Sequence, residues 1–163
     1  MKKLNFIVIA LVSVVLTACG GGGTLSPKAF NETAMNIFKA ANTSLSEFDA
    51  KITEGVKSND LASIATAAES ALSKVEPQIE KMKGLAIPEG GEKYKESVLK
   101  SLETLKSIIE TGKKYAALPE GYARSEFNAL EREYNDKRKQ LSTQLQDVAK
   151  AQTEFAKAVG GLK

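Results

Sequence analysis

Residues 127–155 read FNALEREYNDKRKQLSTQLQDVAKAQTEF, and a large apolar side chain stands at every seventh position. The repeating residues are Phe127, Tyr134, Leu141, Val148 and Phe155. A strict seven-residue period favours a long helix that packs with a left-handed, coiled-coil-like twist. The companion positions are Leu130, Lys137, Gln144, Ala151 and Ala158. We expect Lys137 and Gln144 to reach water or hydrogen-bond at the edge of this seam. The pattern predicts a helix from about Tyr122 to Val159.

The preceding chain repeats its apolar residues every three or four positions, which is typical of amphipathic helices. Ser26 and Pro27 suit the start of a first helix, and Gly55 suits its end. Its apolar stripe is Phe30, Ala34, Ile37, Ala41, Leu45, Phe48 and Ile52. A second helix is predicted from Asp60 to Gly84, with a kink at Pro77, and a third from Glu92 to Ala117.

Four amphipathic helices joined by short loops predict an all-α fold, an antiparallel four-helix bundle over residues 26–163. The loops Ile87–Gly90 and Leu118–Gly121 share the order Pro-Glu-Gly, which suits type I turns. The fourth helix is the longest, so we expect it to overhang the bundle or bend. Antiparallel order places the first and third turns at the end opposite the start of the first helix.

Composition excludes several kinds of chemistry. The chain has one Cys and no His or Trp. These counts rule out an internal disulfide framework, Cys/His zinc sites and His-dependent catalytic triads. Glutamate pairs such as Glu131 with Glu133 lie near lysines and are better explained as a solvated helix face. We therefore expect no catalytic residue, metal site or cofactor, although a hydrolase with a cleft of convergent polar groups is one reading to test.

The first residues form an export signal. Lys2 and Lys3 precede an apolar run from Leu4 to Leu16, which at 13 residues is too short to cross a bilayer. A basic start, a short apolar core and small residues together predict a cleaved signal peptide over residues 1–18.

The run ends Leu16-Thr17-Ala18-Cys19, which resembles the lipobox of bacterial lipoprotein precursors. The resemblance implies that the Cys19 thiol is lipidated and that residues 19–25 form a lipid-bearing glycine tether. Gly20 follows the cysteine, and in enterobacterial lipoproteins this favours delivery to the outer membrane. The chain also resembles small helical surface lipoproteins, through the stretch at residues 88–93 and through residues 154–157.

Cleavage would also change the charge. The whole chain has 23 basic and 20 acidic residues, a net charge of +3, and removal of Lys2 and Lys3 leaves +1. No chain-wide basicity then argues for nucleic acid, and the triplet Lys137–Lys139 has acidic neighbours.

These features predict a non-enzymatic, lipid-anchored envelope protein that acts by protein interaction or in a structural role. Tyr115, Tyr122 and Arg124 lie around the third turn, and tyrosine and arginine are enriched at binding hot spots, so they form the candidate partner surface. The alternative is a carrier that holds a small apolar molecule between helices near Pro77. The small residues proposed to leave space for it are Ala65, Ala67, Ala68 and Ala71.

Overall fold

The computed structural model describes residues 25–162. Within that range the chain forms four α-helices and no strand: α1 (Pro27–Ser58), α2 (Leu61–Gly84), α3 (Glu92–Lys113) and α4 (Arg124–Ala158). A short 3-10 turn, Lys114–Ala117, continues α3. The helices form the predicted antiparallel four-helix bundle with a long C-terminal helix. The proposed signal peptide, Cys19 and all but the last residue of the tether lie outside the described residues.

The first two helices begin as predicted. The Ser26 hydroxyl accepts a hydrogen bond from the Ala29 N–H at 3.2 Å, and the Asp60 carboxylate accepts one from the Ser63 N–H at 3.1 Å. Both side chains satisfy backbone donors that a helix start leaves unpaired. α2 runs through Pro77 as one helix, although proline has no N–H to donate.

The end of α1 differs from the prediction. The helix continues past Gly55 and ends at Asn59, whose φ of 57° is left-handed. Gly55 serves close packing instead, because a Cβ there would lie 2.7 Å from Ile64 Cγ1 and 2.9 Å from the Asp60 carbonyl oxygen. With 32 residues, α1 is nearly as long as α4 with 35, so α4 exceeds it by only about 5 Å.

The two Pro-Glu-Gly loops do share one geometry, but it is not the type I turn expected. The Gly91 N–H donates to the Pro88 carbonyl at 3.0 Å, and the Tyr122 N–H donates to the Pro119 carbonyl at 3.1 Å. The glycine at the third position of each turn has a positive φ, 79° at Gly90 and 76° at Gly121. A type I turn has a negative φ there, so only glycine fits these turns without strain.

The core runs the length of the bundle, with an aromatic cluster where α1 begins and α4 ends. The Phe30 ring meets the Phe155 ring edge-on at 5.5 Å, and the Tyr94 ring, at the start of α3, lies 5.8 Å from Phe30 and 5.9 Å from Phe155. Lys95 closes the same end, since its ammonium donates to the carbonyls of Lys83 and Leu85 at the end of α2. These contacts fix the antiparallel order of the helices.

α1 and α3 approach each other across the bundle because α3 has a glycine at the crossing. A Cβ on Gly112 would lie 2.6 Å from both Phe48 and Ile52 of α1. α4 lies closest to α3 and meets α1 mainly through side chains, such as the 2.7 Å hydrogen bond from Gln152 to Asn31.

The seven-residue pattern of α4 predicts its buried face only in part. The buried residues of α4 are Leu141, Gln144, Val148, Ala151 and Phe155, all in its second half. In the first half, Phe127 and Tyr134 are half-buried, and no residue from 124 to 140 is fully buried. The depth of burial therefore changes along a helix whose sequence period does not.

None of the helices in residues 25–162 combines the length and the apolar character that crossing a membrane requires.

Candidate functional site

The third turn lies at the end of the bundle opposite Phe30, where α3 finishes and α4 begins. We call this end the distal end, and it includes the 3-10 turn, residues 118–123 and the first turns of α4. The N-terminus of α4 is held by Glu126, whose carboxylate accepts a hydrogen bond from the Ala123 N–H at 2.9 Å. The distal end is therefore an ordered surface.

An aromatic cluster organises the distal end. The Tyr115 ring lies 5.3 Å from Phe127 and 6.4 Å from Tyr134, and the Tyr122 ring stacks on Phe127 at 6.0 Å. Tyr115 is only 3% exposed, so it belongs to the core and not to the exposed partner surface on which we placed it. The 3-10 turn directs it inward, which the spacing of the sequence did not indicate.

The other two predicted surface residues are accessible. Tyr122 is half-buried against Phe127, and Arg124 is exposed. Among the described residues, no acidic side chain forms an ion pair with Arg124. An exposed guanidinium without an ion-pair partner among the described residues is available to a partner's carboxylate.

A charged network joins α4 to the end of α3. Glu133 accepts hydrogen bonds from Lys114 at 2.8 Å and from the Thr111 hydroxyl at 3.2 Å, and Lys137 lies 3.1 Å from the same carboxylate. The bonds to Lys114 and Lys137 lower the Glu133 pKa to about 2. Lys137 also donates to the buried Thr111 hydroxyl at 2.6 Å. As predicted, Lys137 hydrogen-bonds at the edge of the seam.

A second polar cluster, which the sequence pattern did not predict, joins α4 to α1. The Tyr134 hydroxyl and the Arg138 guanidinium both donate to the Asp49 carboxylate. Burial and the Asp49 carboxylate both raise the Tyr134 pKa. Tyr134 and Arg138 are four residues apart and so share a helix face, which was the available signal. Their common partner lies 85 or more positions earlier, and no local pattern identifies it.

The basic triplet at residues 137–139 is ion-paired throughout. Lys137 pairs with Glu133, Arg138 with Asp49, and Lys139 with Asp136 at 3.4 Å. Paired cations on a helix face are what the neighbouring acids indicated.

The outer edge of the contact between α3 and α4 is polar and grooved. Two neighbouring open grooves of about 160 and 240 Å3 lie along it, and Lys100 and Gln144 line both. Gln144 does not lie at the edge as we predicted, because it is only 4% exposed. Its amide oxygen and nitrogen have no hydrogen-bond partner among the described residues. Burying an amide without hydrogen-bond partners costs free energy, so this part of the contact between α3 and α4 is less stable than a fully paired one.

A wider groove lies between α1 and α2. It measures about 580 Å3, and Ser44, Phe48, Ala67, Ala71 and Lys74 are among the residues that line it. It is an open groove and not an enclosed cavity. Phe48 and Ala71 at its floor are 1% and 5% exposed, and the accessible part of its lining is more apolar than polar.

The described residues do not gather a metal-binding cluster. Across residues 25–162, no three side chains of the His, Cys, Asp or Glu type lie close enough to hold a metal ion. The buried tyrosines are not poised as nucleophiles, since burial raises the pKa of Tyr94 to about 12 and burial, with the Glu131 charge, does the same for Tyr115. Both hydroxyls stay protonated at neutral pH.

Comparison with known proteins gives no match: no family model fits the chain, and no curated protein or solved structure is significantly similar to it.

Proposed function

We propose that this chain is a non-enzymatic lipoprotein of the bacterial envelope, anchored by Cys19 and acting by protein interaction through the distal end of its bundle. The lipobox supports the anchor, and Gly20 supports an outer-membrane location. The proposed partners are a membrane, through the lipid, and a protein, with no role for nucleic acid or a cofactor.

The length of α1 is the observation that carries this proposal. α1 starts at Pro27, directly after the tether, and its 32 residues span about 48 Å. Tyr122 and Arg124 lie at the far end of that span. A half-buried aromatic residue and an exposed arginine held this far from a membrane suit a partner that approaches from the aqueous side.

The anchor is tested by Cys19→Ala. The variant is expected to leave the membrane fraction, or to stall as an uncleaved precursor, because it has no thiol to carry lipid. Cys19→Ser keeps a polar side chain of similar size but also lacks the thiol, so the same outcome is expected, which separates loss of the thiol from loss of side-chain size. If either variant is cleaved and still fractionates with membranes as the unchanged protein does, the lipid anchor is refuted.

The surface is tested by site-specific photo-crosslinking on intact cells. A crosslinking residue in place of Arg124 is compared with one in place of Glu89, which is exposed at the opposite end. We expect a discrete adduct from position 124 and not from position 89, and we expect Tyr122→Ala to reduce it without loss of helical content. Equal crosslinking from both positions, or an adduct whose yield is unchanged in Tyr122→Ala, would contradict the proposed partner surface.

A carrier for a small apolar molecule is the alternative proposal. The groove between α1 and α2 has a volume typical of ligand pockets and includes Ala67 and Ala71, two of the residues expected to leave space. Saturable binding of a fluorescent fatty acid that Ala71→Leu abolishes and Ala62→Leu preserves would favour the carrier, since Ala62 is exposed outside the groove.

A further inference from the structure

α4 joins the bundle in two different ways along its length. Its second half inserts Leu141, Val148 and Phe155 into the core, and Phe155 packs against two aromatic rings. Its first half, residues 124–140, has no buried residue. We call residues 124–140 the latch segment.

Polar contacts and a half-buried aromatic contact hold the latch segment. On the α1 side, Tyr134 and Arg138 both bind Asp49. On the α3 side, Glu133 binds Lys114. Partly exposed ion pairs and hydrogen bonds of this kind contribute little net free energy, since water replaces them when they open.

The apolar contact of the latch segment is shallower than that of the second half of α4. Phe127, Leu130 and Tyr134 are half-buried, and the rings of Phe127 and Tyr134 lie against the buried Tyr115 ring. None of these three residues is fully buried, unlike Leu141.

The boundary between the two halves contains an unsatisfied polar group. Gln144, one turn after the latch segment, has no hydrogen-bond partner for its buried amide among the described residues, and two open grooves adjoin it. Asn135 and Asp136 lie within the latch segment, and both are weak helix formers. Because the contacts of α4 are weaker before Gln144 than after it, the first half of α4 is expected to separate from the bundle before the second half does.

We propose that the latch segment opens and closes as a separate unit while the second half of α4 stays docked, and that Asp49 is the main catch. The segment begins at Arg124, so its opening would move the surface proposed for a partner. The opening itself needs no partner and is measured without one, so the two proposals fail independently.

Native-state hydrogen exchange on the full chain, purified in detergent, tests this proposal. Amides of the latch segment are expected to exchange about 100-fold faster than amides of residues 141–158. Asp49→Asn is expected to speed exchange in the latch segment about 10-fold further and to leave α2 and residues 141–158 unchanged.

Asp136→Asn is the matched control. Asp136 is an exposed acid within the latch segment that pairs only with Lys139 on the same helix, so its loss should not alter exchange. The proposal is overturned if all of α4 exchanges as one unit, or if Asp49→Asn speeds all helices alike. It is overturned equally if Asp136→Asn and Asp49→Asn have the same effect.

Discussion

Replacing Gln144 by leucine should stabilise the protein. In the folded chain both polar atoms of the Gln144 amide are buried without a partner among residues 25–162, whereas in the unfolded chain water binds them. An unsatisfied buried polar group costs about 1–3 kcal/mol, and leucine has no such group. The leucine side chain is slightly smaller, so part of the gain is lost to less complete packing.

We expect the free energy of unfolding to rise by about 1–3 kcal/mol, which for a domain of this size raises Tm by about 3–10 °C. Urea denaturation followed by circular dichroism measures this change. The dependence of the free energy on urea concentration should stay the same, since the surface exposed on unfolding barely changes.

Gln146→Leu is the control for this prediction. Gln146 is two residues away on the same helix and is exposed, so its replacement should change stability by no more than about 0.5 kcal/mol. If Gln144→Leu destabilises the protein, or matches Gln146→Leu, then the amide is satisfied in solution and our account of the α3–α4 seam is wrong.

Three further predictions concern other buried or paired groups. Gly112→Ala should cost about 1–3 kcal/mol, since the new Cβ would lie 2.6 Å from Phe48, whereas Gly84→Ala has nothing within 4 Å of its Cβ and should be neutral or slightly stabilising by thermal unfolding. Glu133 has a pKa lowered to about 2 from 4.5, so its stabilising effect is full above 4.5 and disappears as the pH falls toward 2. The stability gap between the unchanged protein and Glu133→Gln should therefore close over that interval; at 37% exposure it should be at most about 1 kcal/mol, and a gap that widens on acidification would contradict the network. Tyr94→Phe removes a buried hydroxyl that has no hydrogen-bond partner among the described residues, so urea denaturation should show a free energy of unfolding about 1 kcal/mol higher. A lower free energy of unfolding would mean that the hydroxyl is hydrogen-bonded in solution.

The helices and their faces could be predicted from the sequence because they depend on local patterns. Ser26 and Asp60 cap as their residue types indicate, and the apolar stripe of α1 is buried almost as written. Periodicity identifies the face of a helix that turns inward.

The features that the sequence did not predict depend on how closely neighbouring helices approach each other. The seven-residue period treats Tyr134 and Leu141 alike, yet only Leu141 is buried, because burial depends on how closely the neighbouring helix approaches. Glycine often ends a helix, but Gly55 lies inside α1 where the helix closely contacts Ile64 of α2. Tyr115 is buried although its own spacing did not indicate it, whereas Gln144 is buried because it lies on the seven-residue seam, although its side chain is polar.

The contact between Phe30 and Phe155 brings the start of α1 beside the end of α4. A short linker from Leu162 to Ser26 could therefore close the chain, and new termini could be cut within the exposed turn at Glu120. Such a circular permutant would keep its packing but would emerge from the opposite pole. If the permutant carried the same signal peptide and Cys19, its bundle would be inverted relative to the membrane. The end that contains Phe30 and Phe155 would then face away from the membrane.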